Sequence, residues 1–299
     1  MNPHPQSQKR ARMTAVQTLR LADGRGLCVR CWPGSGKEPL VLLHGLLDSS
    51  EGWRRLCERL GGIAFDLPGF GYSDPPSRGS IAGYARDVAE GLDTLGIKRM
   101  TLVGHSFGGG VAAALAESLK DRVTALVLLA PAGFGRIHLA EAASLPVIRQ
   151  LVELALPVVL SSRLAVTAAY ATMVSNGAAP DPETVARVTS RGGSLGPGVR
   201  EATRSIAEAG RAPDAARRLR RLYDGPVHAV WGDRDRLVPM SHSHGVRVAF
   251  PQVQIDVWKG MGHHPMGERI DDLIEVVQAA RAQGRAGLRL AIAPRGAAA

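Results

Sequence analysis

The chain has 299 residues, 45% hydrophobic and 21% charged, which excludes a disordered chain and allows a sizeable core without disulfide staples. Its net charge of +10 is concentrated at the ends: Lys9, Arg10 and Arg12 have no acid beside them in 1–12, nor do Arg281, Arg285, Arg289 and Arg295 in 281–299. With only 4% aromatic residues, this reads as two solvated tails and argues against a nucleic-acid-binding face.

Three cysteines are too few for a disulfide framework and fit a reducing compartment. No apolar run reaches the roughly 20 residues of a membrane span. The opening MNPHPQSQKRAR lacks the apolar stretch of a secretion signal, so a cytoplasmic location and no transmembrane segment are expected.

In chain order, residues 14–21 and 27–32 read as strands joined by Asp23-Gly24-Arg25-Gly26, a hairpin signal. The apolar run 39–45 ends in Gly45 and suits a strand buried on both faces. A short helix is expected over 53–60 and another buried strand over 63–66. Ile81, Tyr84, Ala85, Val88, Leu92 and Leu95 share one helical face. A strand over 100–103, a Gly/Ala-rich helix over 107–119 and a strand over 123–129 follow. This alternation indicates a parallel sheet with helices on both faces.

The rhythm changes after Gly133. Residues 134–222 hold apolar helical stretches, with Pro146 and Pro157 as breakers, and no convincing strand. They read as a helical insertion capping the sheet. Strands are expected again over 226–231 and 253–257, then a helix from about 268 to 282. The expected organisation is a disordered basic tail over 1–13, a core of 14–133 and 223–282, the helical cap over 134–222, and a disordered tail over 283–299.

The strongest chemical signal is Gly104-His105-Ser106-Phe107-Gly108, with a strand before it and a helix after it. A serine on so sharp a turn needs small neighbours and exposes its hydroxyl. The helix N-terminus beneath it offers N–H groups and a positive dipole end to a developing oxyanion. Such a hydroxyl needs a base held by a third group, in the chain order Ser, acid, His. Downstream, Asp233 and Asp235 compete for the acid, and His263 and His264 for the base. Both pairs follow strands, at the carboxyl edge where α/β active sites gather.

These pieces, with His44-Gly45 and the run Asp66-Leu67-Pro68-Gly69-Phe70-Gly71-Tyr72-Ser73, make the chain resemble serine hydrolases of the α/β-hydrolase superfamily over nearly all of 14–282. The resemblance implies a mostly parallel, doubly wound sheet of the α/β-hydrolase type with a helical cap insertion. In that family the acid usually sits three residues after Gly232 and shortly before Val238-Pro239, which selects Asp235. The base usually follows Gly-x-Gly directly, which selects His263. Ser106 is then the nucleophile, His263 the base and Asp235 its orienting acid. The backbone N–H groups of Leu46 and Phe107 form the oxyanion hole. No metal or organic cofactor is required. By resemblance His44 is a structural residue of the oxyanion loop, Asp233 a loop cap, and His264 the bulky residue after the base.

Other features carry less. Cys28 and Cys31 have CxxC spacing but lie on an expected strand without a second pair. His242 and His244 lack a third ligand and read as a solvated helix start. Arg211, Arg217, Arg218, Arg220 and Arg221 read as a solvated face. The apolar stretch 145–164 favours a small hydrophobic acyl substrate.

The expected function is hydrolysis of carboxylic esters or thioesters through an acyl-enzyme. Capped relatives with the same triad cleave carbon–carbon bonds of ring-cleavage products, but they often carry Asn before the nucleophile and a cap arginine. Here His105 precedes it, and Arg187, Arg191 and Arg200 are loose candidates for that arginine. Perhydrolase or haloperoxidase activity would need no different triad. A catalytically silent binding protein on the same fold is the alternative from another class.

Overall fold

Short apolar runs bounded by glycine and proline become the strands of one eight-stranded sheet, ordered β1-β2-β4-β3-β5-β6-β7-β8. The computed structural model describes residues 15–292, apart from 35–37, 78, 175–176, 178–179, 181, 192–195 and 212–222. The expected tail 1–13 and the basic stretch from Arg217 to Arg221 lie outside the described residues.

Strands β1 (Ala15–Arg20) and β2 (Gly26–Trp32) form the hairpin, and β2 runs antiparallel to β4 (Gly62–Phe65). From there β3 (Leu40–Leu43), β5 (Met100–His105), β6 (Val123–Leu129), β7 (Val227–Gly232) and β8 (Gln254–Trp258) join in parallel. Cys28 and Cys31 stand three positions apart on β2 and therefore emerge on opposite faces.

The central strands are mostly apolar because both faces are covered. On β6, Leu126 and Leu128 join one core cluster, while Ala125, Val127 and Leu129 join the other. Helices α1 (Arg54–Leu60) and α2 (Ile81–Thr94) lie on opposite faces: Leu56 and Cys57 pack in the second cluster, Tyr84, Val88 and Leu92 in the first. Each such buried aliphatic contributes about 1.5–3 kcal/mol. Arg25 in the hairpin turn grips Asp87 on α2 through two bonds of 2.8 and 2.9 Å.

The segment between β6 and β7 is helical where it is described: α4 (His138–Ala143), α5 (Pro146–Ser161), α6 (Arg163–Ala169), a π-helical turn Tyr170–Val174, α7 (Pro182–Arg191) and α8 (Gly196–Arg211). It touches the core where Gly198 meets Gly69: a Cβ on Gly198 would come 2.1 Å from the Gly69 carbonyl oxygen. Among the described residues no single helix is long and apolar enough to cross a membrane.

The C-terminal helix corrects one expectation. It spans Ile270–Ile292, ten residues past the expected end, so 283–292 are helical rather than disordered. Packing and propensity carry it on. Gly284 lies against the Thr124 carbonyl, where a Cβ would come to 2.5 Å, and Arg281 donates to the Glu38 carbonyl at 2.8 Å. Alanine, leucine and arginine are strong helix formers.

All the parallel strands end on one edge, and β5 leads there into α3 (Phe107–Leu119). Gly104 pairs with Leu43 on one side and Leu128 on the other. A Cβ on Gly108 would come 2.4 Å from the carbonyl oxygens of both Leu43 and His44. Backbone cannot yield as a flexible side chain can, so Gly108→Ala is expected to destabilise the chain by about 3 kcal/mol in urea unfolding.

Candidate active site

Ser106 alone turns β5 into α3, at φ 53° and ψ −118°. Its N–H donates to Leu129 O at 2.8 Å, and its carbonyl accepts from Gly109 and Ala132 at 2.9 Å each. The side chain stays at the surface of a cavity of about 240 Å³. Phe107 N–H is the first of the helix and has no acceptor within it.

The loop after β3 leans on this turn. A Cβ on Gly45 would come 2.8 Å from His105 Nδ1 and 3.1 Å from Ser106 Cβ, so only glycine allows the approach. Leu46 lines the same cavity, and Leu47 follows at φ 64°. His44 is fully buried beneath them. Its Nδ1–H donates to Gly45 O at 2.7 Å and its Nε2 accepts from Leu67 N–H at 2.9 Å, a pattern that requires the neutral ring.

The loops carrying Asp235 and His263 follow β7 and β8. The Asp235 side chain is wholly buried: Oδ1 accepts from Leu237 and Val238 N–H at 2.9 Å each, and Oδ2 lies 2.6 Å from His263 Nδ1. Asp233 is exposed and accepts from Gly260 N–H at 2.7 Å instead. His263 lines the cavity with Ser106, while its ring lies 4.8 Å from that of His105. His264 also reaches the cavity, its ring edge-on to Tyr170 at 5.4 Å.

Three features escaped the sequence reading. Glu268 accepts from Gly262 N–H at 2.7 Å and His264 N–H at 3.0 Å, bracketing His263. The signal available was an acid one helical turn past His264. His105 Nε2 donates to the His263 carbonyl at 2.7 Å, joining positions 158 residues apart. Arg187 Nε donates to Asp48 Oδ1 at 2.9 Å, tying α7 to the loop after β3. Nothing local pairs residues 139 positions apart. Burial would raise the Asp48 carboxyl, but the Arg187 guanidinium pulls it below its ordinary range. Arg200 lies 3.7 Å from Glu201.

His242 is another correction. It is buried rather than solvated, with Nε2 3.1 Å from the Arg136 carbonyl oxygen, because Gly135 lets the ring pack beneath the chain. Neighbouring His244 is exposed. Among the described residues no group of three or more His, Cys, Asp or Glu side chains is arranged to hold a metal ion.

The profile of the alpha/beta hydrolase fold matches residues 38–269. The chain belongs to the α/β-hydrolase family. An uncharacterized protein of Mycobacterium tuberculosis is 29% identical to this α/β hydrolase, over 93% of this chain and 85% of its own. A dihydrolipoyllysine-residue acetyltransferase component of the acetoin cleaving system of Cupriavidus necator is 30% identical, over 86% of this chain and 67% of its own. A 2-hydroxy-6-oxononadienedioate/2-hydroxy-6-oxononatrienedioate hydrolase of Paraburkholderia phymatum is 42% identical over a shorter stretch, 32% of this chain and 37% of its own. Among solved structures, a bacterial membrane phospholipase A is 25% identical with a TM-score of 0.69, covering 91% of this chain and 87% of that one.

Burial pushes the imidazoles of His44, His105 and His242 in this α/β hydrolase below the ordinary value of 6.5, His105 well below it. The unfolded chain therefore takes up these protons first as pH falls. Their contribution to stability is complete above about pH 6.5 and is lost below it, at about 1.4 kcal/mol per pH unit for each ring. Urea midpoints should fall between pH 7 and pH 5.5. His105→Asn should flatten that fall, and an unchanged slope would contradict the assignment.

Proposed function

We propose that this α/β hydrolase cleaves carboxylic esters or thioesters of hydrophobic acids through an acyl-enzyme on Ser106. The observation that carries the reading is the 2.6 Å contact of His263 Nδ1 with a buried Asp235, beside a cavity that Ser106 and His263 both line. Ser106 Oγ attacks the acyl carbonyl carbon as its proton passes to His263 Nε2. Asp235 holds the tautomer and stabilises the imidazolium. The N–H groups of Leu46 and Phe107 receive the oxyanion, each donor worth about 2.7–4 kcal/mol in the transition state. The imidazolium then protonates the departing alkoxide or thiolate. Water, activated by the same ring, releases the acid and restores Ser106. Every step uses protein groups and water.

The insertion 134–222 acts as the cap. Its Val159, Leu160, Val166, Ala169 and Val188 line the cavity opposite Ser106, an environment that favours an aliphatic or aryl acyl group. The likeness to a phospholipase supports a lipid-like acyl chain.

Carbon–carbon bond hydrolysis is the second reading, favoured by the partial likeness to the Paraburkholderia phymatum hydrolase. Arg187, the partly buried cap arginine beside the cavity, is engaged by Asp48, so a substrate carboxylate would have to compete with an existing ion pair. That observation favours the ester reading.

A fluorophosphonate probe should label the wild-type chain and leave Ser106→Ala unlabelled. Loss of labelling in the wild type would favour a silent binding protein. Ser106→Ala and His263→Ala should lower kcat by about 10⁴–10⁶-fold, with Asp235→Asn far more damaging than Asp233→Asn. Across p-nitrophenyl esters, kcat/KM should rise from acetyl to octanoyl. A fall along that series, or turnover of a dienone acid in preference to the esters, would reverse the substrate assignment.

A further inference from the structure

Four backbone groups surround the His263 side chain, and three are held by the core. Gly262 N–H and His264 N–H donate to the two oxygens of Glu268, and the His263 carbonyl accepts from His105 Nε2. The fourth is held by the helical insertion: His263 N–H donates to the Val174 carbonyl at 2.6 Å. Val174 ends the π-helical turn Tyr170–Val174, where a terminal carbonyl has no partner in its own helix.

The same turn is fastened beside the acid. Arg236, next to Asp235, donates from Nη1 to the Thr172 carbonyl at 3.1 Å. The fit leaves no slack, since a Cβ on Gly262 would come 2.2 Å from the Val174 carbonyl oxygen. Tyr170 and Val174 also form part of the cavity wall that faces Ser106. One five-residue turn therefore touches the acid loop, the base loop and the space for the substrate.

We infer that the turn Tyr170–Val174 sets the position of the His263 imidazole according to what fills the cavity, with Arg236 as the positioning residue that pins it. The inference rests on His263 being the base of a serine ester hydrolase. A misplacement of about 1 Å at a reacting group costs on the order of a hundredfold in rate. An acyl chain packed against Tyr170 and Val174 supports the turn from inside the cavity, and Arg236 supports it from outside. A short acyl group leaves that wall bare, so Arg236 is then the main support. The two supports are redundant for long substrates and not for short ones.

The test is steady-state kinetics of full-length wild type, Arg236→Met and Arg236→Lys on acetyl and octanoyl p-nitrophenyl esters. Arg236→Met should lose about tenfold in kcat on the acetyl ester and less than about threefold on the octanoyl ester, with Arg236→Lys recovering most of the loss. Gly262→Ala, which drives Val174 off the His263 amide, should lower kcat on both esters. An equal loss at both chain lengths in Arg236→Met, or a change confined to KM, overturns the inference, as does a Gly262→Ala variant with wild-type kcat. Fluorophosphonate labelling of the wild type separates the two levels. If Ser106 is unlabelled and neither ester is cut, the hydrolase reading falls and this inference with it. If Ser106 is labelled and both esters are cut, wild-type kinetics in Arg236→Met remove only the inference.

Discussion

The strained backbone of Ser106 is the constraint around which the rest of the molecule is arranged. A non-glycine residue at φ 53° costs on the order of 1–3 kcal/mol and persists only where its surroundings over-determine it. Here the peptide groups on either side are bonded to Leu129, Gly109 and Ala132, and helix α3 is buried along most of its length. Close approach completes the restraint. A Cβ on Gly104 would strike the Gly108 carbonyl at 2.4 Å, and one on Gly108 would strike the end of β3. The hydroxyl is thereby held at the carboxyl edge of the sheet, the same edge at which the loops carrying Leu46, Asp235 and His263 emerge.

Asp235, Glu268 and His44 have their polar groups engaged at this edge, as a low-dielectric setting demands, whereas His105 Nδ1 is buried without a hydrogen-bond partner among the described residues. Asp235 takes two amides on one oxygen and the imidazole on the other. Glu268 takes two more amides, and His44 uses one ring nitrogen inside its own loop and the other on Leu67 in the loop after β4. These bonds leave the backbone around His263 little freedom, which keeps an imidazole in register with a carboxylate that arrives from another strand.

The helical segment between β6 and β7 does more than line the cavity. Its apolar side chains supply much of the wall, its Arg187 forms a partly buried pair with Asp48, and its Val174 carbonyl holds the His263 amide. A partly buried ion pair is weak evidence of added stability, but it fixes geometry because separating its partners leaves a poorly solvated charge. The segment that shapes the cavity is thus bonded to the loops on which the proposed chemistry runs.

The amino-acid sequence by itself determined the fold class. Short, mostly apolar runs at 40–43, 100–103 and 123–129, too short for core helices, suit strands covered on both faces, and the helical stretches between them suit crossovers. It also marked Ser106, because a serine between small residues at a strand-to-helix junction is a local pattern. Two acids and two histidines stood within reach by spacing alone, and resemblance preferred Asp235 and His263. Tertiary geometry decided which atoms meet: Oδ2 of Asp235 reaches His263, while Asp233 turns to Gly260. The Arg187–Asp48 pair, the bond from His105 to His263 and the contact of Val174 with His263 had no sequence signal. Each joins residues 89 to 158 positions apart, and only packing of the insertion and the sheet brings such positions together. The C-terminal helix outruns its expected end for the same reason, since the contacts of Gly284 and Arg281 that sustain it are made with β6 and with Glu38.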